Sequence, residues 1–381
     1  MIDPLVEVVR TDLAGLVDWG PADVATTLQR RGLVVSDRMV LDIVAQLRRT
    51  SVGAGPLEPL LRLPGVTDVL VNGPDQVFID CGSGLQPADV RFSSDAEVRQ
   101  LATRLAALAG RRLDDASPWV DARLPDGTRL HAVLSVLASP GTCISLRVPA
   151  RDSFTLDDLQ AAGSVDAQTA ALLRALIERK VAFLISGGTG SGKTTLLACL
   201  LGLVPSRERL VIVEDSRELA PRHPHCIRLE CRHANAEGAG EVTMTNLVRQ
   251  ALRMRPDRLI LGEARGAELC DLLTALNTGH EGGCGTVHAN SAADVPARLE
   301  ALAALGGMQP DALHAQAASA LQVVIHVRRW PDGRRGVAEI GLVHPLANRQ
   351  IDVVPALVAD QPGASRRDIG WEAIQKLVRQ R

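Results

Sequence analysis

Tyrosine is absent from the 381 residues, and Phe and Trp number only four each. So few rings leave little material for platforms on which bases stack, which argues against a single-strand nucleic-acid binder. Neither sign of charge is in excess: 42 Lys and Arg face 44 Asp and Glu, for a net charge of -2. That balance gives no electrostatic case for direct contact with nucleic acid or another polyanion. The longest uncharged run, Leu130 to Leu146, is shorter than a membrane-spanning helix and is interrupted by Pro140-Gly141. The opening Met1-Ile2-Asp3-Pro4 lacks the basic and then apolar regions of a signal peptide. The seven cysteines, at 81, 143, 199, 226, 231, 270 and 284, are odd in number and scattered. Reduced thiols and a cytoplasmic location are expected, with any membrane role supplied by a partner. No internal repeat or low-complexity tract is found.

What is present centres on Ile185-Ser186-Gly187-Gly188-Thr189-Gly190-Ser191-Gly192-Lys193-Thr194-Thr195. This fits the phosphate-binding loop G-x-x-x-x-G-K-[ST], with Gly187, Gly192, Lys193 and Thr194 at its fixed positions. The preceding Val181-Ala182-Phe183-Leu184-Ile185 is a short apolar run of strand type, and Leu196-Leu197-Ala198-Cys199-Leu200-Leu201 continues as a buried helix. Glycines let the loop curl so that successive backbone N–H groups face phosphate oxygens, and the helix N-terminus adds its own unpaired donors. The motif assigns residues 187–195 to ATP, with Lys193 on the β- and γ-phosphates and the Thr194 hydroxyl on Mg²⁺.

Two acidic clusters follow at the ends of apolar strands, where an open α/β sheet collects its ligands. Leu210-Val211-Ile212-Val213 runs into Glu214-Asp215, and Leu259-Ile260-Leu261-Gly262 runs into Glu263-Ala264-Arg265. Glu214 is a candidate base for an attacking water, and Glu263 a candidate to hold water in the shell of Mg²⁺. A third cluster, Gly279-His280 through Thr286-Val287-His288, pairs two histidines with glycines that permit close backbone approach. His280 and His288 are the candidates there for sensing the terminal phosphate.

The chain divides by pattern. Residues 1–50 read as helical, with apolar residues at three- and four-residue spacings and a helix start at Pro21-Ala22-Asp23. Residues 51–150 show short strands and turns, including Asn72-Gly73-Pro74-Asp75 and Pro125-Asp126-Gly127, around a helix near 95–109. They are expected to form a compact α+β domain. A linker is expected at 151–164, a core of alternating strands and helices at 165–345, and a tail at 346–381 that ends in a weakly amphipathic basic helix with Trp371, Ile374 and Leu377. The alternation predicts an α/β fold with a mostly parallel sheet. His223, His225, Cys226, Cys231 and His233 alternate with Ile227 and Leu229, which reads as a strand rather than a zinc site.

The phosphate loop, the two acidic boxes and the histidine box, in this order and spacing, resemble the ATPases of type II and type IV secretion, pilus assembly and conjugation. Gly55-Pro56-Leu57-Glu58-Pro59-Leu60-Leu61, Thr67 to Gly73 and Asp121 to Arg129 are similar to the Tad/Flp pilus branch in particular. The likeness covers roughly 50 to 330. It implies a homohexamer that couples ATP hydrolysis to motion between an α+β domain and a RecA-like domain. It implies inner-membrane platform proteins as partners, in keeping with the lack of a membrane span and of direct nucleic-acid contact expected from composition and charge. It also implies that Arg123, Arg129 and Arg147 reach the nucleotide phosphates, where guanidinium forks stabilise a transferring phosphoryl group. Arg265 is a weaker candidate for a subunit-boundary contact. Two departures stand out. The four-cysteine zinc module of many type II members is missing, and the second acidic box lacks the usual Asp, which leaves either Glu214 or Glu263 as the base. A conjugation ATPase and a non-hydrolysing nucleotide switch are the competing functions.

Overall fold

The computed structural model describes residues 8–9, 12–13, 20–33, 35–51, 53–82, 84–149, 154–232, 234 and 239–380. The chain forms two compact units, Met1–Ala150 and Arg151–Arg381.

In the first unit, helices Pro21–Arg30 and Asp37–Ser51 bury Val24, Leu28, Val40, Ile43, Val44 and Leu47 with Val9 and Leu13 in a small core of their own. Asp23 accepts the Gly20 N–H at 2.8 Å, which fixes the start read from Pro21-Ala22-Asp23. Leu5 lies outside the described residues.

Six antiparallel strands follow: β1 (Asp68–Asn72), β2 (Val77–Asp80), β3 (Leu85–Pro87), β4 (Trp119–Arg123), β5 (Arg129–Val133) and β6 (Cys143–Arg147), in the order β3-β2-β1-β6-β5-β4. Alternate residues turn inward, among them Val69 and Val71, Leu130 and Ala132, Ile144 and Leu146. They meet Val98, Leu101 and Leu105 of the helix Asp95–Leu108 in one core. The residues between them, Arg129 and Arg147 included, occupy the other face.

The second unit is built on nine strands: β7 (Phe183–Ser186), β8 (Leu210–Glu214), β9 (Cys226–Glu230), β10 (Arg258–Leu261), β11 (Cys284–Val287), β12 (Val323–Arg329), β13 (Arg335–Pro345), β14 (Ile351–Gln361) and β15 (Ala364–Arg367). Their order is β15-β14-β13-β12-β7-β11-β10-β8-β9. The six from β12 to β9 are parallel, and β13 to β15 extend the sheet antiparallel. Strands β7, β8 and β10 are apolar at nearly every position because both faces are covered. Phe183, Ile185, Leu210, Ile212 and Ile260 enter one core, and Leu184, Val211, Val213, Leu259 and Leu261 the other. The run at 226–230 is the edge strand β9, while His233 lies outside the described residues.

Two expected boundaries need correction. Within the expected linker 151–164, Leu156–Ala161 is a helix whose start is fixed by a reciprocal Thr155 and Asp158 capping box, and Leu156 enters the core. The residues expected to form a tail, 346–381, supply β14 and β15 to the sheet, while the helix expected at their end is present as Trp371–Gln380, with Ile374 fully buried. Pro355 hid the strand from a sequence reading, because proline removes a ladder donor. Here it sits at an irregularity, with Gly341 opposite Pro355 and Ile340 opposite Leu357, so the lost donor is tolerated.

Asp166 ties this C-terminal part to the unit. Its carboxylate caps the helix Ala167–Glu178 at Thr169 N and accepts the Ser365 N–H and hydroxyl, each at 2.6 Å. Burial pushes its pKa up, but the bonds from Ser365 and Thr169 outweigh this and hold the carboxyl below its ordinary value. Asp166→Ala is expected to destabilise the fold by about 1–3 kcal/mol, read as an earlier midpoint in urea unfolding.

Candidate nucleotide-binding and catalytic site

Strand β7 ends at Ser186 and the helix Lys193–Leu201 begins seven residues on, so residues 187–192 must turn tightly between them. Gly187, at φ 155°, packs so closely on the β12 backbone that a side chain would collide with the Val327 carbonyl. Gly192 takes φ 99° directly before the helix, in the left-handed region that favours glycine. Around Gly188 and Gly190 a side chain would meet nothing within 4 Å. Gly188, Thr189 and Gly190 are exposed, Thr194 is half-buried and Thr195 exposed. Ser191 Oγ donates to the Gly188 carbonyl at 2.8 Å and closes the loop on itself.

Lys193 is buried. Its Nζ donates to the carbonyls of Gly187 at 2.9 Å and Gly188 at 2.8 Å, and lies 3.4 Å from His288 Nδ1. All three ammonium protons therefore have protein acceptors. Burial holds its pKa below the usual lysine value, against the pull of Glu263 and Glu218.

From the lysine a chain of charges runs outward across the strand tips. His288, directly after β11, places Nε2 2.8 Å from Glu263 Oε1. Burial and Lys193 depress its pKa against the pull of Glu263, which favours a neutral ring. With Nε2–H donated to the carboxylate, Nδ1 is left to accept from Lys193. Arg265 donates to Glu263 Oε2 at 2.8 Å and reaches Asp215 Oδ2 at 3.3 Å. Burial would raise the Glu263 pKa, yet Arg265, His288 and Lys193 together hold the carboxyl below its ordinary value. Arg265, expected at a subunit boundary, thus engages acids of its own chain. The loop carrying it is fixed by Glu268, whose Oε1 accepts the backbone N–H groups of Arg265 and Gly266 at 2.6 and 2.8 Å.

Glu214 sits differently. It is 3% exposed, lies against Gly262, and its Oε1 accepts the backbone N–H groups of Glu218 and Leu219, both at 2.8 Å. Its Oε2 is buried without a hydrogen-bond partner and lies 3.7 Å from Arg228 Nε. Burial raises its pKa despite those two amides.

His280 does not join the cluster. Val287 pairs with Ser186 and Cys284 with Phe183, so residues after β11 emerge beside the phosphate loop and residues before it lie at the opposite edge of the sheet. His280 belongs to that far edge, where its N–H donates to Ala275 O at 3.3 Å.

In the first unit the three singled-out arginines form one row. Arg123 stands opposite Arg129 across β4 and β5, Arg129 opposite Arg147 across β5 and β6, and Arg147 opposite Asp68 across β6 and β1. Directly opposed residues share a face, and like charges there oppose folding. Asp121, 3.6 Å from Arg129, offsets part of that repulsion.

Two neighbours of the loop escaped the sequence reading. His326 of β12 lies opposite Ser186, with Nδ1 2.9 Å from the Ser186 hydroxyl and both side chains buried. Arg335, at the start of β13, donates from Nε to the Gly190 carbonyl at 2.9 Å. A polar residue ending the run Val323-Val324-Ile325 was a signal for the first; nothing local marked the second.

The cradle suits a polyphosphate: an open glycine loop, uncapped donors at a helix start, and a buried lysine whose ammonium can redirect its hydrogen bonds to anionic oxygens. A parallel sheet whose central strand runs into such a loop, with carboxylates at the tips of strands on the same side of it, is a RecA-like P-loop domain. Residues 50–348 match the family of type II/IV secretion system proteins, and the chain belongs to that family. A putative conjugal transfer protein of Mycobacterium tuberculosis is 55% identical over 322 residues, which span 83% of this chain and 92% of the relative. The probable conjugal transfer protein TrbB of Sinorhizobium fredii is 34% identical over 294 residues, spanning 76% and 86%. The solved structure of the pilus retraction motor PilT with bound ADP shares the fold, with a TM-score of 0.52 at 20% identity over 75% of this chain and 81% of that one. No helix among the described residues is long and apolar enough to cross a membrane.

Proposed function

We propose that the protein hydrolyses ATP as a homohexameric motor for a pilus or secretion machine, working in the cytoplasm against inner-membrane platform proteins and without contacting nucleic acid directly. The observation that carries this reading is the line from Lys193 through His288 to Glu263, which ties the phosphate cradle to an ionised carboxylate two strands away, with His288 at the tip of the strand between them. A simple binding loop has no need of that coupling. Thr194 and Glu263 would hold Mg²⁺; both Glu263 oxygens already have partners, so its hold would be through water. When bound, the ion neutralises charge on the phosphates. Glu263 orients water, Lys193 holds phosphate oxygens, and His288 keeps the two in register. The row Arg123, Arg129 and Arg147 is assigned the part of cations for the phosphates, the role that guanidinium groups play on a transferring phosphoryl group.

The segments 55–61, 67–73 and 121–129 favour a Tad/Flp pilus. The relatives named for conjugal transfer support the second reading, a conjugation ATPase built on the same chemistry. Which polytopic membrane protein co-purifies with the chain separates the two.

The test of the motor is steady-state phosphate release. The wild type should turn over ATP, and Arg123→Ala and Arg129→Ala should each keep ATP binding while losing about 100-fold in turnover. A wild type that binds ATP yet releases no phosphate under any assembly condition leaves the non-hydrolysing switch as the function. Full turnover in both arginine variants removes the row from the site.

A further inference from the structure

The β12 and β13 hairpin touches the phosphate loop at its outer side, at a place the secretion motifs do not include. Arg335 opens β13 opposite Arg329, and its Nε–H reaches the Gly190 carbonyl across 145 residues of chain. Its stem runs past the end of the loop, where a Cβ on Gly192 would lie 3.8 Å from Arg335 Cδ. The strand beneath it is anchored. Gly336 packs on the Ser164 carbonyl with no room for a side chain, and Val337 N–H donates to the same carbonyl at 3.2 Å. The guanidinium therefore approaches the loop from a fixed base, although it is itself exposed.

In a loop whose amides face an anion, the carbonyls of the same peptides face away from it. Arg335 grips one such carbonyl. The N–H of that peptide belongs to Ser191, whose nitrogen makes only a long bond, 3.4 Å, to the Gly188 carbonyl. A cation on the oxygen of a peptide polarises it and makes its N–H a stronger donor. We propose that Arg335 is a positioning residue of the nucleotide site, setting the Gly190–Ser191 peptide plane and strengthening the Ser191 N–H toward the β-phosphate. The inference rests on the reading of this loop as the phosphate cradle. It assigns Arg335 a share of affinity for any ligand carrying a β-phosphate and none for one that lacks it.

The experiment is calorimetric titration of the full chain with ADP, AMP and inorganic pyrophosphate, for the wild type, Arg335→Ala and Arg335→Lys, with thermal melting of each protein alone. Arg335→Ala is expected to bind ADP and pyrophosphate about 10-fold more weakly, the lower end of what one hydrogen bond to a charged group contributes. AMP binding and the ligand-free melting temperature should stay close to wild type, and Arg335→Lys should recover most of the ADP affinity. In steady-state assays the loss should appear in KM for ATP far more than in kcat. Arg335→Ala binding ADP within twofold of a wild type that itself binds ADP overturns the proposal and leaves the cradle reading intact. A loss equal for AMP and ADP overturns it as well. A folded wild type with no affinity for ADP or pyrophosphate removes the cradle reading, and the proposal with it.

Discussion

Lys193→Ala is expected to weaken ATP binding by at least about 100-fold, since the lost ammonium would make more than one hydrogen bond to charged oxygens at roughly 1.5–3 kcal/mol each. Turnover should fall by a further 10²-fold or more, on the order seen when a donor aimed at developing charge is removed. The variant should still fold. In the wild type the ammonium holds the Gly187 and Gly188 carbonyls and approaches His288, and in the alanine variant the Gly188 side of the loop opens to water. The resting lysine is thus committed wholly to its own chain, and an incoming phosphate has to compete for it. Affinity for phosphate is moderated by that competition. Calorimetry with ADP and with ATP checks the result, and binding within threefold of wild type would show that the loop grips something other than phosphate.

Glu263→Gln should lower turnover by about 10²–10⁴-fold, the span of a lost general base or water-orienting carboxylate, while nucleotide binding changes several-fold at most. The amide oxygen can still accept from His288 while the amide NH2 cannot accept from Arg265, so the variant removes the charge and one hydrogen bond with little change of shape. Glu214→Gln is the informative companion. The Glu214 carboxylate lies under Gly262 with one oxygen committed to two backbone amides, and burial raises its pKa. Glu263 is held ionised, two contacts from Lys193. The geometry therefore predicts the larger loss at Glu263. Phosphate release from the two variants side by side decides it: a Glu214→Gln loss exceeding that of Glu263→Gln by tenfold or more assigns the base to Glu214 and leaves Glu263 as a support for Mg²⁺.

Much of this site was legible because its parts are local in sequence. Strand, glycine loop and helix occupy one short segment, and an apolar run ending in Glu marks a strand tip wherever it falls. What remained hidden depends on direction and distance. His280 and His288 look alike in a list of motifs, yet a four-residue strand separates them, and only the residue after a parallel strand reaches the ligand edge. The inward seat of Glu214 depends on the absence of a side chain at Gly262, a strand away. Arg335 meets the loop only because β12 and β13 lie on the far side of β7, a pairing with no local signature. The strand β14 was masked by Pro355, whose cost is absorbed by an irregularity that no residue pattern announces.

The antiparallel extension of the sheet also governs how the molecule can be shortened. The family match ends at residue 348, just past the end of β13 and before β14 begins. A chain cut there would bare a rim of eleven residues whose main-chain groups seek another strand, and fibrous or amorphous self-association is the ordinary outcome of such a rim. In the intact chain that hazard is moved outward to β15, which is four residues long and carries two arginines, Arg366 and Arg367.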